Sequence, residues 1–281
     1  MKVSKKKIFV KKTSGREEVF NENKLYKSLI RSGASAKLAK SVISKVHHKL
    51  KSGMTTRQIR RHAYQVLKHE SKRLAADYRL NRAILELGPD GFLFEKFIAG
   101  LLTEKGYKTE TNLIKKGKCI NHEIDIEAQT DHKKIFIECK FHNAMERTND
   151  VKVALYVWAR WMDLKANSEN KVDEFWLISN TKFSKDAIDY ANCSGLTLIG
   201  ENLPNHQAIS HFVAETGLHP LTSLSSLRKN QKNLLLKEGM LFARDLLEDP
   251  RVLKKIGINE STFYRVIEEV ESLSHHYKGK K

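Results

Sequence analysis

Asp125, Glu138 and Lys140 are spaced so that one hairpin gathers two carboxylates and an ammonium group. Period-2 alternation predicts two strands between Asn121 and His142. Ile124, Ile126 and Ala128 share one face of the first, and Ile135, Ile137, Cys139 and Phe141 share one face of the second. The opposite faces carry Glu123, Asp125 and Glu127 on one strand and Phe136, Glu138, Lys140 and His142 on the other. If Thr130-Asp131-His132-Lys133 closes an antiparallel hairpin with Thr130 facing Lys133, the register sets Asp125 directly across from Glu138. Bare carboxylates opposed in this way destabilise a hairpin by about 0.2–1 kcal/mol, and a divalent cation between them reverses the sign. One or two carboxylates with positions left for water and phosphate are the ligand set that Mg²⁺ prefers. Lys140, two residues beyond Glu138 on the same face, is placed to act on a water or a phosphate oxygen. A half-solvated hairpin with a charged outer face accounts for the same residues without any chemistry.

An acid, a short hairpin and then acid-x-lysine, here Asp125 and Glu138-Cys139-Lys140, resembles the PD-(D/E)XK nucleases. Ile124 stands where a proline is often found in that family. The resemblance implies that Asp125 and Glu138 ligate Mg²⁺ or Mn²⁺ with help from the backbone carbonyl near Cys139. It also implies that Lys140 orients or deprotonates the attacking water. Upstream, Phe94, Ile98, Leu101 and Leu102 form the buried stripe of a helix predicted from Phe92 to Lys105, which stops at Gly106. Glu95 precedes Ile98 by three residues and Leu102 by seven, so an acid sits beside the apolar face, either at the solvent edge or held by a cation. The stretch Phe94 to Tyr107 is similar to the opening of the Mrr-type restriction endonuclease domain, whose first-helix Glu faces the metal site. The stretch Trp176 to Ala191 resembles the same domain. This resemblance covers about residues 90 to 204 and adds Glu95 to the catalytic set of Asp125, Glu138 and Lys140.

The surrounding elements follow from pattern. A helix begins near Asn149 with Val153, Val157, Trp161 and Leu164 inward. Asp173 to Ser179 is a nearly continuous apolar run expected to form a central strand. Ser184 caps a helix through Ile188 and Ala191, and Gly195 leads into a short strand, Leu196 to Ile199. Helix, three strands, helix, strand, helix, strand in one sheet with helices on both faces is the α/β sandwich of the PD-(D/E)XK fold. Trp161 is read as core at helical spacing, Arg160 as a phosphate contact, and His142 either as part of the site or as a cap on its edge.

Ahead of that sandwich, residues 8 to 20 read as two short strands around Ser14-Gly15. Asn21 caps a first helix with Leu25 and Leu29; a second carries Leu38, Val42, Val46 and Leu50 and ends near Gly53. Thr55 and Gln58 make a capping box for a third with Ile59, Ala63 and Val66, and a fourth carries Leu80, Ile84 and Leu87. A hairpin with four helices, opened by Val10, Lys12, Gly15, Phe20 and Lys24, resembles the ATP-cone domain, a regulatory nucleotide-binding module. The resemblance implies ATP or dATP as effector, a site including Val10, Lys12, Gly15 and Lys24, and phosphate contacts from the two lysines. Thr13 replaces the Arg usual there. By physics alone, two lysines beside a glycine turn and a helix N-terminus suit a phosphate, and charge on a solvated hairpin explains them nearly as well. The chain has no Walker-type phosphate loop.

The 281 residues leave room for three small domains. They are expected at 1–88 (ATP-cone-like), 89–204 (nuclease-like) and 205–281 (helical, for assembly or DNA contact), with Gly88-Pro89-Asp90-Gly91 as the first junction. The class is α/β in its α+β form: an N-terminal hairpin plus four-helix domain, a central αβββαβ sandwich and a C-terminal helical region. From Asn205 the pattern is helical: Ile209, Phe212 and Val213, then Leu224 to Leu236, Met240 to Leu247, a short helix at Pro250, and a last helix capped by Asn259 beyond Gly257. Glycine between helices is similar to helix-hairpin-helix DNA modules, yet Glu268, Glu269 and Glu271 make the last helix acidic.

Lys and Arg number 51 against 33 acids, a net +18, which calls for an anionic partner, nucleic acid first. No apolar run approaches the ~20 residues that cross a bilayer, and the start around Lys5, Lys6 and Lys7 lacks a signal-type apolar core, so a cytoplasmic protein without membrane attachment is expected. Cys119, Cys139 and Cys193 are odd in number and widely spaced, which argues against disulfides and zinc. His47-His48 and His275-His276 are read as surface pairs, because neighbours on a helix diverge. The expected activity is that of a Mg²⁺-dependent DNA endonuclease of restriction or defence type, tuned by ATP or dATP and at least dimeric, since cutting both strands asks for two sites. The alternatives are a structure-specific nuclease of the Holliday-junction kind and a nucleotide-responsive DNA-binding regulator on an inactive nuclease fold.

Overall fold

A computed structural model describes residues 8–12, 15–89, 91–201, 203–204 and 208–274. Lys5 to Lys7, Thr13, Ser14, Asp90, Asn205, His275 and His276 lie outside the described residues. The chain divides into two compact units, Met1–Arg79 and Leu80–Lys281.

In the first unit, strands β1 (Phe9–Lys11) and β2 (Glu17–Val19) pair antiparallel, with Val10 opposite Glu18. Gly15, at φ +81°, supplies the left-handed backbone of the turn. Helices α1 (Glu22–Arg31), α2 (Ala36–Lys49) and α3 (Thr56–Glu70) follow, then α4 (Lys72–Leu85), which spans the division between the units in sequence. The caps read from sequence are present: Asn21 accepts from the Lys24 amide, and Thr55 and Gln58 close their capping box. The hairpin is tied down by Lys11 N–H to the Met54 carbonyl and by Gly53 N–H to the Phe9 carbonyl, and Val10 packs with Leu25, Leu29, Val42, Val46, Ile59, Ala63 and Leu67.

The second unit opens with α5 (Phe92–Glu104), then β3 (Lys108–Lys116), β4 (Asn121–Gln129) and β5 (Lys134–Lys140). After β6 (Thr148–Asn149) come α6 (Val151–Lys165), β7 (Glu174–Ser179), β8 (Lys182–Phe183), α7 (Lys185–Ser194) and β9 (Thr197–Ile199). The sheet runs β3-β4-β5-β7-β9, antiparallel through β5 and parallel from β5 to β9, and β6 pairs separately with β8. Helix α5 covers one face, over Ile126, Ala128, Ile135, Ile137 and Ile178. Helices α6 and α7 cover the other, over Phe136, Phe175, Leu177 and Leu198. With Trp176 and Ile178 on one side and Phe175 and Leu177 on the other, β7 is buried on both faces, as its unbroken apolar run predicts.

One face assignment is corrected. Ile124 does not share a face with Ile126: it packs under α6 with Phe136, whereas Ile126 packs under α5. The β3–β4 ladder omits the Asn112–Asp125 pair, and Asn112 takes a left-handed φ of +56°. Alternation breaks at that point, and a period-2 reading has no way to register it.

The C-terminal region is helical, with α8 (Ile209–Thr216), α9 (Lys229–Lys237), α10 (Asp245–Glu248), α11 (Arg251–Lys255) and α12 (Glu260–Ser274). Two helices are shorter than their apolar patterns imply. Residues 224–228 stay out of α9 because the amides of Ser225 and Ser226 donate to the carboxylate of Glu269, each at 2.8 Å. Residues 240–244 stay out of α10 because Leu241 and Phe242 donate their amides to Asp245. Phe242 then packs on Phe97 of α5, where Gly100 leaves room that a Cβ would fill. Glu269 is therefore not part of an acidic surface: it is buried, and its hydrogen bonds from Ser225 and Ser226 outweigh burial and hold its carboxyl below the usual range. Asn259 caps α12 through the Thr262 amide, as expected.

A carboxyl with a lowered pKa stabilises the fold above its unfolded value and loses that contribution as pH falls through the folded one. Glu269→Ala should accordingly cost about 2 kcal/mol at neutral pH, read as a lower urea midpoint, with the gap to wild type closing in acid. An unchanged midpoint would mean that the serine turn holds without the carboxylate.

Candidate active site

The β4–β5 register sets Ile126 against Ile137 and Ala128 against Ile135, as the hairpin reading requires, and the paired ladder ends there. Asp125 and Glu138 are the next residues along. Instead of continuing the ladder, Asp125 Oδ2 accepts the Cys139 amide at 2.6 Å. Its side chain thus takes the place of a backbone acceptor at the mouth of the hairpin.

Three carboxylates lie near enough to act on the Cys139 thiol. Burial and the charges of Asp125, Glu95 and Glu138 together push the Cys139 thiol well above the usual thiol range, so the sulfur is not a nucleophile or a thiolate ligand. Glu95 arrives from the first turn of α5, which the Phe94–Phe141 ring contact at 5.6 Å seats against the end of β5. Burial pushes the Asp125 carboxyl up, against the pull of the Cys139 amide, Arg160 and Lys140. Burial, and after it the Asp125 charge, push Glu138 up to about 7, against Arg160 and Lys140. The Lys140 ammonium is thus close enough to act on both acids, while its side chain is exposed to an incoming ligand.

Arg160, expected to reach phosphates, has protein partners that the sequence did not announce: its Nη1 donates to Glu138 Oε2 at 2.6 Å, and its Nη2 to the Glu123 carbonyl. Position 160 lies three residues after Val157 and four before Leu164, on the flank of the buried stripe of α6, and that was its only signal. Trp161 is core, as expected.

His142 turns out to cap the edge. Its Nε2 meets Asn149 Oδ1 at 2.8 Å, and its backbone exchanges two 2.8 Å hydrogen bonds with the Asn180 side chain. Asn149 also donates to Ser179 Oγ, Thr181 Oγ1 and the Lys182 carbonyl, and Ser179 Oγ donates to the Lys140 carbonyl at 2.7 Å. This buried polar group, unpredicted beyond the resemblance of its segment, holds the backbone of Lys140 in place.

A divalent ion fits this set in a limited way. Among the described residues no group of three or more His, Cys, Asp or Glu side chains closes into a metal cage. Two carboxylates forced together, with Asp125 Oδ1 and Glu138 Oε1 not engaged in these hydrogen bonds, suit an ion that takes its remaining ligands from water and phosphate.

The first unit gathers its expected residues too. Lys12 and Lys24 converge on Glu18, at 2.9 and 3.3 Å, beside buried Val10 and the Gly15 turn. The Lys12 hydrogen bond, followed by that from Lys24, holds the Glu18 carboxyl below its usual range. Glu18 was not singled out in the sequence, although its strand position opposite Val10 places it there.

Family models match the chain in three places: an ATP cone domain over residues 8–86, a restriction endonuclease domain of the Mrr type over 88–203, and an AF1548-like C-terminal domain over 219–274. An uncharacterized protein of Archaeoglobus fulgidus is 35% identical over 177 residues, 63% of this chain and 99% of the relative. The crystal structure of AF1548, a protein of unknown function, matches with a TM-score of 0.53 and 33% identity over 66% of this chain and 98% of its own. Can2 from Sulfobacillus thermosulfidooxidans, solved with cyclic tetra-adenylate, is far more remote, at 12% identity and a TM-score of 0.33 over 69% of this chain and 54% of that one. The class is therefore an ATP-cone domain joined to an Mrr-type restriction endonuclease domain, a pairing that suggests a nucleotide-regulated nuclease. The chain belongs to the AF1548-like family. Among the described residues, no helix is long and apolar enough to cross a membrane.

Because Glu138 favours its protonated form up to about 7 against an ordinary 4.5, the metal-free protein loses stability as pH rises through that interval. An ion that needs the anion must displace a proton below it. The Mg²⁺-induced rise in melting temperature should therefore grow from about pH 5.5 to about pH 8 and then level off. A rise independent of pH would remove Glu138 from the ligand set.

Proposed function

We propose that the chain is a Mg²⁺- or Mn²⁺-dependent DNA endonuclease of restriction type whose activity responds to ATP or dATP on the N-terminal domain. The observation that carries this reading is the convergence of Asp125, Glu138 and Lys140 where the β4–β5 ladder opens. Asp125 and Glu138 would hold the ion, with the Cys139 carbonyl beside them. When bound, such an ion polarises a phosphoryl oxygen and lowers the pKa of water.

Lys140 orients or deprotonates the attacking water and offsets charge growing on the phosphorus, and Glu95 supports the lysine or the ion from α5. The net charge of +18 supplies sequence-independent, salt-sensitive affinity for the DNA backbone. Lys12 and Lys24 take the effector's phosphates, with Glu18 holding them together in its absence. On this reading residues 1–88 sense nucleotide, 89–204 cut, and 205–281 serve assembly, in at least a dimer working in the cytoplasm. An inactive regulator would have no use for two acids held at an electrostatic cost, which favours the enzyme.

Supercoiled, linear, methylated and branched DNA, incubated with Mg²⁺ and with or without ATP or dATP, separates restriction-type cutting from branch-specific cutting. Asp125→Asn and Lys140→Ala should each abolish cleavage, by about a thousandfold or more, while DNA binding survives. Mg²⁺-dependent cleavage unchanged in both variants would exclude this site. Lys12→Ala combined with Lys24→Ala should weaken nucleotide binding about tenfold or more and remove the nucleotide response of cleavage, leaving basal cutting intact. A response that persists would place the effector elsewhere.

A further inference from the structure

Arg160 approaches the acidic pair from a different element. From α6 its guanidinium donates to Glu138 Oε2 at 2.6 Å and to the Glu123 carbonyl, with the Tyr156 ring 5.6 Å away. The ion pair is shielded, its side chains 13% and 17% exposed. Only a planar fork engages both acceptors at once, which a lysine at this position would not do. Asp125 and Glu138 bring two negative charges, and Lys140 and Arg160 bring two positive ones. These four balance, and with Glu95 nearby the group keeps a single net negative charge before any ion or substrate arrives.

A group so nearly balanced gives a divalent cation little Coulombic gain: Glu138 Oε1 is open to it, but the short, charge-assisted hydrogen bond on Oε2 spends the charge that the cation would use. A phosphodiester alters both conditions. It adds negative charge beside the acids, and its oxygens accept from a guanidinium with the same geometry as a carboxylate.

We infer that Arg160 is a positioning residue that withholds the charge of Glu138 from a divalent cation until a nucleic-acid phosphate is there to accept its guanidinium. Ion loading and substrate binding are thereby coupled. The inference rests on the nuclease reading above and adds to it the order in which ion and substrate are taken up. Linkage makes the coupling mutual: the factor by which DNA raises ion affinity is the factor by which the ion raises DNA affinity. An ion-free enzyme then keeps the DNA affinity that its basic surface supplies and lacks only the coupled gain, and a DNA-free enzyme holds little metal.

The test is calorimetric titration of Ca²⁺, at about pH 8 so that proton competition is small, into the full chain with and without a short duplex. Wild type, Arg160→Met, Arg160→Lys and Asp125→Asn are compared. Wild type should bind Ca²⁺ about tenfold or more tightly with duplex than without it. Arg160→Met should bind about tenfold or more tightly than wild type without duplex, and duplex should then add little. Arg160→Lys, which keeps the charge and loses the fork, should fall between them and supplies the answer if the Met variant does not fold. Thermal unfolding gives a second reading: the variants should be less stable than wild type in chelator and should recover more on adding Ca²⁺, which a merely structural defect would not do.

Duplex-free affinity in both variants equal to or below that of wild type overturns the inference and leaves the nuclease reading standing. Wild-type Ca²⁺ binding that Asp125→Asn leaves untouched, with and without duplex, overturns both.

Discussion

Two like charges confined at the mouth of one hairpin are the constraint around which the second unit is arranged. Asp125 and Glu138 follow the last paired residues of β4 and β5, so the register that buries Ile126 and Ile137 also brings the acids together. Hydrophobic pairing over the rest of the ladder outweighs their repulsion, because a register slip would exchange the hairpin's two faces and unseat Ile126 and Ile137 from α5. Glu138 registers the cost, of burial first and of the Asp125 charge second: a carboxyl that favours its proton up to about 7 is destabilised as an anion by a few kcal/mol. Structures keep such a penalty where the charged form has work to do.

The remaining elements hold that point still. Helix α5 packs against the sheet through Phe94, Phe97, Ile98, Leu101 and Leu102, fixing the turn that carries Glu95. Behind Lys140, the group of Asn149, Ser179, Asn180, Thr181 and His142 satisfies backbone groups where β5 leaves the sheet. The segment ahead of α10 braces α5 from outside: Phe242 fills the space over Gly100, and Arg244 pairs with Glu104 at 2.7 Å. Precision at two carboxylates thus depends on packing well away from them in sequence.

Local patterns were legible, and so was the hairpin register, because turn chemistry and alternation are both written in adjacent residues. The caps at Asn21, Thr55, Ser184 and Asn259 were readable for the same reason. Ile124 was misassigned because the break in alternation stems from the backbone of Asn112 on a neighbouring strand, and nothing within β4 announces it. The ends of α9 and α10 were overrun because their apolar spacing continues past the point where carboxylates claim the amides. One of those, Glu269, lies more than forty residues from the serines it caps. The pairing of Arg160 with Glu138 is not legible because the two lie twenty-two residues apart and meet only through the fold. Composition pointed to nucleic acid, and only the resemblance of particular segments pointed to cleavage.

The account stands on a divalent ion seated between Asp125 and Glu138. Crystals of the chain soaked in Mn²⁺, measured at the manganese absorption edge, test that most directly. An anomalous peak within coordination distance of both carboxylates, absent in Asp125→Asn crystals, is the predicted result. A peak elsewhere, or none between these two side chains at saturating Mn²⁺ with DNA present, would contradict it.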